Sequence, residues 1–227
     1  LRPNDRFNFI MNRNNVINSV NNDPTSNAFG LSHINIQPIV LDAVILPPAK
    51  ILYKSGVVDP QLTDSWNIGR HQFYSSPPLA IKGCYMYGLM IVSERPVSPK
   101  DKPVIESFAR VLETEGNQAG VPLRPGGPPL LSSDNALELQ IKLSKMRDGG
   151  ARLVVVALQS DCYGAVKLQA DKLGLPTQCI KWKNVQRPPR GYHQNVLLKM
   201  NTKMGGINHI INPVDPVITS RSFGPPA

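Results

Sequence analysis

The sequence predicts an α/β fold: a Rossmann-like, mostly parallel sheet with helices on both faces, preceded by an extended, β-rich segment. Three observations carry this expectation. Apolar runs such as LAIKGCYMYGLMIV (79–92) and LVVVAL (153–158) are nearly continuous, as strands covered on both faces require. Segments with helical apolar spacing lie between such runs, each with a capping residue or a glycine stop. From residue 79 onward the succession is β, α, α, β, α, β, α, the alternation from which doubly wound sheets with right-handed crossovers are built.

Along the chain, the first thirty residues are rich in Asn and lack apolar periodicity, so NVINSVNNDPTSN reads as at most a short helix followed by a loop. INIQPIVLDAVILPP and AKILYKSG alternate well enough for strands, and WNIGRHQFYS reads as another extended piece. LAIKGCYMYGLMIV is the first long strand. In SPKDKPVIESFARVLETEGNQAG, Ser98 stands as N-cap, Val104, Phe108, Val111 and Leu112 form an apolar stripe, and Gly120 ends the helix. VPLRPGGPP is a loop by composition. SSDNALELQIKLSKMRDGG then gives a capped amphipathic helix ended by Gly149 and Gly150. RLVVVAL is a strand, CYGAVKLQADKLG a helix, PTQCIKWK a strand, and GYHQNVLLKMNTKMGG a helix stopped by Gly205 and Gly206. The last stretch, INPVDPVITSRSFGPPA, has four prolines after Ile211 and reads as a linker.

Composition bounds the function. With 41% apolar residues in 227, the chain can bury a substantial core, while 22 Pro and 17 Gly demand several connectors. No window holds 18 consecutive apolar residues and the start is polar, so neither a membrane span nor a leader is expected. Cys84, Cys162 and Cys179 lack Cys-x-x-Cys spacing, which argues for a reducing compartment and against a thiolate zinc site or disulfide frame. The net charge is +9, and residues 151–210 hold nine cations against only Asp161 and Asp171. A field so concentrated favours a polyanionic partner, although charge alone is equally met by a solvated basic face.

In an open parallel sheet, ligands bind beyond the carboxyl ends of the strands, where loops enter helix N-termini. LVVVAL ends at such a point, with Ser160 or Asp161 as a cap for the next helix. Tyr163 and Lys167, four apart, share one helix face and can reach one site. Gln178 and the backbone of Cys179 add neutral donors from the following strand. Lys199 and Lys203 again stand four apart; their mutual repulsion becomes an advantage if an anion lies between them. Tyr–Lys pairs, strand Gln and core Cys are each common without function, so only the combination carries weight.

That combination, Tyr-x-x-x-Lys, then Thr-Gln-Cys, then Lys-Met-Asn-Thr-Lys-Met-Gly-Gly, resembles the MID domain of eukaryotic, notably fungal, Argonaute proteins. NAFGLSHINIQPIVLDAVILPPAKILYKSG and DSWNIGRHQFY are similar to the second linker segment that precedes MID in that family. The resemblance implies a linker segment over 1–78, a MID domain over 79–213 and a linker over 214–227 leading to a PIWI domain. It implies that Lys167, Gln178, Lys199 and Lys203 hold the 5′ phosphate of a small guide RNA. Cys179 would add its backbone N–H, and Tyr163 would stack on the first base. Ser160, Asp161, Lys181, Asn184 and Asn195 would lie near the guide, with Lys181 standing where the family has Gln. The loop QSDC is shorter than in animal relatives, so their first-base preference does not carry over. A lysine stands where bacterial and Piwi-clade relatives place a divalent metal, so no metal and no cofactor is expected. The implied partners are the guide RNA and the PIWI and PAZ domains of the same protein, with no membrane, in a cytoplasmic monomer serving RNA silencing. Guide-directed cleavage in the family uses PIWI carboxylates in a two-metal arrangement, so this chain is expected to bind and not to cut, the full-length protein being the candidate endoribonuclease.

Three other functions compete for these residues. A nucleotide-dependent enzyme lacks its signature, because no G-x-G-x-x-G or G-x-x-x-x-G-K-[ST] follows a strand. A cysteine hydrolase built on Cys162 or Cys179 with His193 has no orienting group. A basic protein-interaction module without specific recognition of an RNA end is the remaining alternative.

Overall fold

The computed structural model describes residues 2–12, 14–31, 37–42, 48–60, 66, 68–78 and 84–212. The chain divides into two compact units, Leu1–Leu46 and Pro47–Ala227.

The first unit contains α1 (Pro3–Met11), α2 (Asn14–Asn21) and α3 (Pro24–Ala28), where the sequence suggested one short helix and a loop. Local capping explains the difference. Pro3 and Pro24 sit in first turns, where a missing N–H costs nothing. The Asp23 carboxylate accepts from the Ser26 N–H at 2.9 Å, and Asp5 accepts from the Arg2 N–H at 3.2 Å. Residues 37–42 form no strand, contrary to the reading of INIQPIVLDAVILPP, and Pro38 removes a ladder donor there. The rest of that stretch (34–36 and 43–47) lies outside the described residues.

In the second unit, β1 (Ile51–Tyr53) and β2 (Gly56–Val58) form a hairpin, and β8 (Ile210–Ile211) adds to β1 in the antiparallel order β2-β1-β8. Residues 68–78 have no regular strand, but Ser75 bridges Ile207 and Phe73 is buried in the main core. Residues from Pro47 onward therefore share their unit with everything that follows.

The main sheet has five parallel strands. β3 (Tyr85–Ser93) is followed by a 3-10 turn over Pro99–Asp101, whose first residues are capped by Ser98, and by α4 (Lys102–Gln118). β4 (Leu123–Pro125) and β5 (Leu130–Ser133) follow, then α5 (Ala136–Asp148), β6 (Leu153–Leu158), α6 (Tyr163–Lys172), β7 (Thr177–Lys181), α7 (Trp182–Gln186) and α8 (Tyr192–Lys203). The order is β4-β3-β6-β7, with β5 continuing along the same side of β3 as β4. Residues 121–129, expected as loop, thus yield β4. Nine-residue β3 is long enough to pair with two short strands in succession, and Pro125 is tolerated because β4 lies at an edge. PTQCIKWK is strand only to Lys181. Trp182 begins a helix and packs, partly buried, on the core.

Strand alternation divides the core into two layers. Tyr87, Leu89, Ile91, Leu153, Val155 and Ala157 face α4, α7 and α8, while Met90, Val92, Val154 and Val156 face α5 and α6. Ile105, Phe108 and Leu112 of α4 are buried as a stripe; Val111, expected in that stripe, is 39% exposed. The helices α6 and α8 therefore lie on opposite faces of the sheet, flanking edge strand β7. That position builds the candidate site.

Candidate functional site

Edge strand β7 turns alternate backbone groups toward β6 and outward. Val154 N–H donates to the Pro176 carbonyl at 3.0 Å, so the backbones of Thr177 and Cys179 point away from the sheet. Two ammonium groups meet there from opposite faces. Lys167, from α6, donates to the Thr177 carbonyl at 2.9 Å and to its hydroxyl at 2.8 Å. Lys203, from α8, donates to the same carbonyl at 2.8 Å and to Gln178 Oε1 at 2.8 Å. Sharing one oxygen holds the two nitrogens within about 6 Å of each other. At that separation, repulsion is on the order of 1–3 kcal/mol between water-like and surface-like dielectric.

Every acceptor these lysines use is neutral. Burial chiefly, then Lys167, holds the Lys203 ammonium below the ordinary lysine pKa; Cys179 opposes this, and Lys199 adds a further, smaller lowering. No carboxylate enters that balance. Lys199 is exposed one turn before Lys203 on α8. Gln178 is 6% exposed, with its amide nitrogen donating to the Cys179 carbonyl at 2.9 Å, so the side chain is fixed at both ends. Burial pushes the Cys179 thiol up, opposed by Lys167 and Lys203. The Cys179 N–H, by alternation, faces the same open edge.

Tyr163 opens α6, half exposed, with its ring 5.8 Å from Lys167 Nζ. Its ring also lines a cavity of about 750 Å³ beyond the carboxyl ends of β6 and β7. Ser160, Asp161, Cys179 and Lys181 line it as well, together with Trp182 and Gln186. Ser160 and Asp161 do not cap α6, as they were expected to. The Ser160 hydroxyl instead accepts from the Glu94 N–H at 2.8 Å and meets Cys162 Sγ at 2.9 Å, leaving the first N–H groups of α6 without a side-chain cap. Asn184 lies in α7 and Asn195 is exposed on α8 one turn before Lys199; neither lines the cavity.

Tyr163, Lys167, Gln178, Cys179 and Lys203 are thus brought together, with Lys199 adjacent. Sequence reasoning missed Thr177, whose carbonyl and hydroxyl are the anchor of the lysine pair. Its only signal was its place beside Gln178. Trp182 and Gln186 were likewise missed as cavity walls, because a strand was expected to run through Trp182.

Elsewhere, Glu94, Asp134 and Cys162 bring ligand atoms within 4.8 Å of one another at the carboxyl ends of β3, β5 and β6. Burial pushes the Cys162 thiol up, its hydrogen bond with Ser160 opposes this, and the carboxylates of Asp134, Glu94 and Asp161 add to the rise. His193 packs on the Phe108 ring at 4.4 Å and, among the described residues, bonds to neither Cys162 nor Cys179, which removes the geometry a cysteine hydrolase needs. No helix among the described residues is long and apolar enough to cross a membrane.

A Piwi domain family model matches residues 153–221, from β6 through α8 and beyond. The match falls on the segment that carries Tyr163, Lys167, Gln178, Lys199 and Lys203. The chain is 28% identical over 234 residues to Protein argonaute 5 of Arabidopsis thaliana, covering 97% of this chain and 22% of the relative. The fold is similar to that of Kluyveromyces polysporus Argonaute crystallised with a guide RNA, at TM-score 0.65 and 19% identity over 74% of this chain and 22% of that one. It is likewise similar to the C-terminal lobe of a budding yeast Argonaute, at TM-score 0.63 and 19% identity over 74% of this chain and 38% of that one. The chain spans about a fifth of the length of the curated relatives it matches.

Proposed function

We propose that this chain belongs to the Argonaute family and binds the 5′-phosphorylated end of a small guide RNA, as part of a protein acting in RNA silencing. One observation carries the reading: two lysines from opposite faces of the sheet converge on a single carbonyl, with neutral acceptors only and a third lysine one turn away. Such a cluster costs energy until an anion neutralises it. A terminal monoester bears more charge than an internal diester and can be approached from several sides, which suits point-charge ammoniums. In this reading Lys167, Lys199, Lys203, the Gln178 amide and the Cys179 N–H take phosphate oxygens. The ring of Tyr163 carries the first base, which enters the adjoining cavity past Ser160, Asp161 and Lys181. Asn184 and Asn195 flank later nucleotides. In this reading a lysine ammonium does the work a divalent metal would do. The role assigned to this region, a linker segment followed by a MID domain, is retention of the guide end; any strand cleavage belongs to other parts of a longer, monomeric, cytoplasmic protein with PAZ and PIWI domains.

A second reading is favoured by the same hydrogen bonds. Lysines laid over the outward carbonyls of an edge strand also prevent that edge from pairing with another chain, without any ligand. The two readings separate in a binding experiment with single-stranded RNA bearing either a 5′ phosphate or a 5′ hydroxyl, at two salt concentrations. Guide-end recognition gives a preference for the phosphate, and Lys167→Ala or Lys203→Ala lowers affinity for that RNA by roughly ten- to a hundredfold, one or two charge-assisted bonds. Equal affinity for both ends leaves only edge protection.

A further inference from the structure

On the face of the main sheet that carries α4, α7 and α8, these helices leave a groove of about 420 Å³ between them. Its walls are Pro103, Val104 and Val111 of α4, Val185 of α7, Pro188 and the ring of His193. Val111 has the helical spacing of a core residue and is nevertheless 39% exposed, because the groove opens beside it. His193 Nε2 is enclosed and has no hydrogen-bond partner. The rim is cationic. Arg187 lies between the lining residues Gln186 and Pro188, Arg110 directly precedes Val111, and Arg190 leads into α8. All three are exposed, and no ion pair among the described residues occupies them. Among the described residues, none lining the groove is a carboxylate; Glu115, one turn beyond Val111 on the same face of α4, lines the neighbouring pocket beside His71 instead.

We propose that this groove binds a short peptide segment of another protein, one carrying a bulky apolar side chain flanked by Asp or Glu. The volume is within the range of small binding pockets and accepts one or two large side chains. Valine and proline walls reward apolar burial, while the arginine rim offers forked donors to carboxylates on either side. A nucleic acid fits less well. Base stacking needs an open aromatic face, and of the two rings in the wall Phe108 is 3% exposed and His193 packs against it. The proposal does not rest on the RNA-end reading.

The test is fluorescence anisotropy on the full chain with a labelled peptide in which Leu and Trp are flanked by Asp and Glu. Two comparison peptides replace the apolar pair by Ser or the acids by Lys. The acidic, apolar peptide is expected to bind, both comparison peptides to bind at least about tenfold more weakly, and Val111→Glu and Arg187→Glu each to lower its affinity at least about tenfold. Both variants should retain the preference for a 5′-phosphorylated RNA, and circular dichroism checks their fold. Should Val111→Glu not fold, exposed Arg187→Glu carries the test alone. Absence of peptide binding, binding indifferent to Arg187→Glu, or displacement of the peptide by hydroxyl-ended RNA overturns the proposal, the last outcome making the groove a nucleic-acid surface.

Discussion

Lys203 concentrates the electrostatic problem of the candidate site in one side chain. Burial, Lys167 and Lys199 all disfavour its charge, so the folded chain holds that proton less tightly than the unfolded chain does. Below the folded pKa this is a constant cost to stability. The cost fades as pH climbs from the folded value toward the ordinary lysine value, because only the unfolded state then still binds the proton. A bound phosphate reverses the balance and tightens the proton's hold. Affinity for a 5′-phosphorylated RNA is therefore expected to rise as pH passes about 6, where a phosphate monoester becomes a dianion, and to fall on the alkaline side as Lys203 discharges. Lys199→Ala sharpens this. It removes a repelling neighbour that, among the described residues, forms no hydrogen bond or ion pair, so the alkaline fall should move to higher pH even as maximal affinity drops roughly tenfold. Titrating binding from about pH 5 to about 10 for both proteins checks the claim. An alkaline limb that stays put or moves down would mean that Lys199 does not act on Lys203.

At the scale of elements, the position of Lys203 depends on how α8 ends. Gly206 N–H donates to the Asn201 carbonyl at 2.9 Å, and Asn201, fully buried, donates from its amide to Asn208 Oδ1 at 2.8 Å. A Cβ on Gly206 would come within 2.2 Å of Asn201 Oδ1, so Gly206→Ala must displace a buried amide and its bond. A loss of about 2–4 kcal/mol in urea unfolding is expected, with a weaker preference for the phosphorylated end because the last turn of α8 shifts. Asn135→Ala is the control. It removes the cap of α5, where Asn135 accepts from Leu137 and Glu138 N–H at 3.0 and 3.2 Å, and should cost about 1 kcal/mol without altering end preference. The Gly205-Gly206 stop was readable from composition, as were β3, β6, α4, α5 and α6, because continuous apolar runs and capped periodic stretches are strong local signals. β4, α1 and α3 were not. Three-residue β4 owes its pairing to the length of β3, and the short helices owe theirs to single caps, so neither leaves a periodic trace. The side chains of the candidate site were readable from spacing, but their meeting at an open strand edge was not, since it depends on α6 and α8 taking opposite faces of the sheet.

For the whole molecule, nine cations against two carboxylates over residues 151–210 create a field that any RNA will feel, phosphorylated or not. Salt screens that field over about 8–10 Å, whereas hydrogen bonds at a defined anion pocket survive better. Affinity alone therefore mixes two effects, and amide hydrogen exchange separates them. Thr177 and Cys179 turn their N–H groups outward at the open edge of β7, while Gln178 and Ile180 are committed to the ladder with β6. A terminal phosphate seated between Lys167 and Lys203 would place an acceptor in front of the Cys179 N–H. Exchange at Cys179 should then slow when a 5′-phosphorylated RNA is added, and remain unchanged with the hydroxyl-ended strand at equal occupancy, while Gln178 and Ile180 change equally for both. Mass action predicts a matching rise in thermal stability: at ligand a hundredfold above Kd, about 2.7 kcal/mol, or roughly 5–10 °C for a unit of this size. If both strands protect Cys179 alike, the basic field holds the RNA by its backbone, and the lysines at the edge of β7 do no more than guard it.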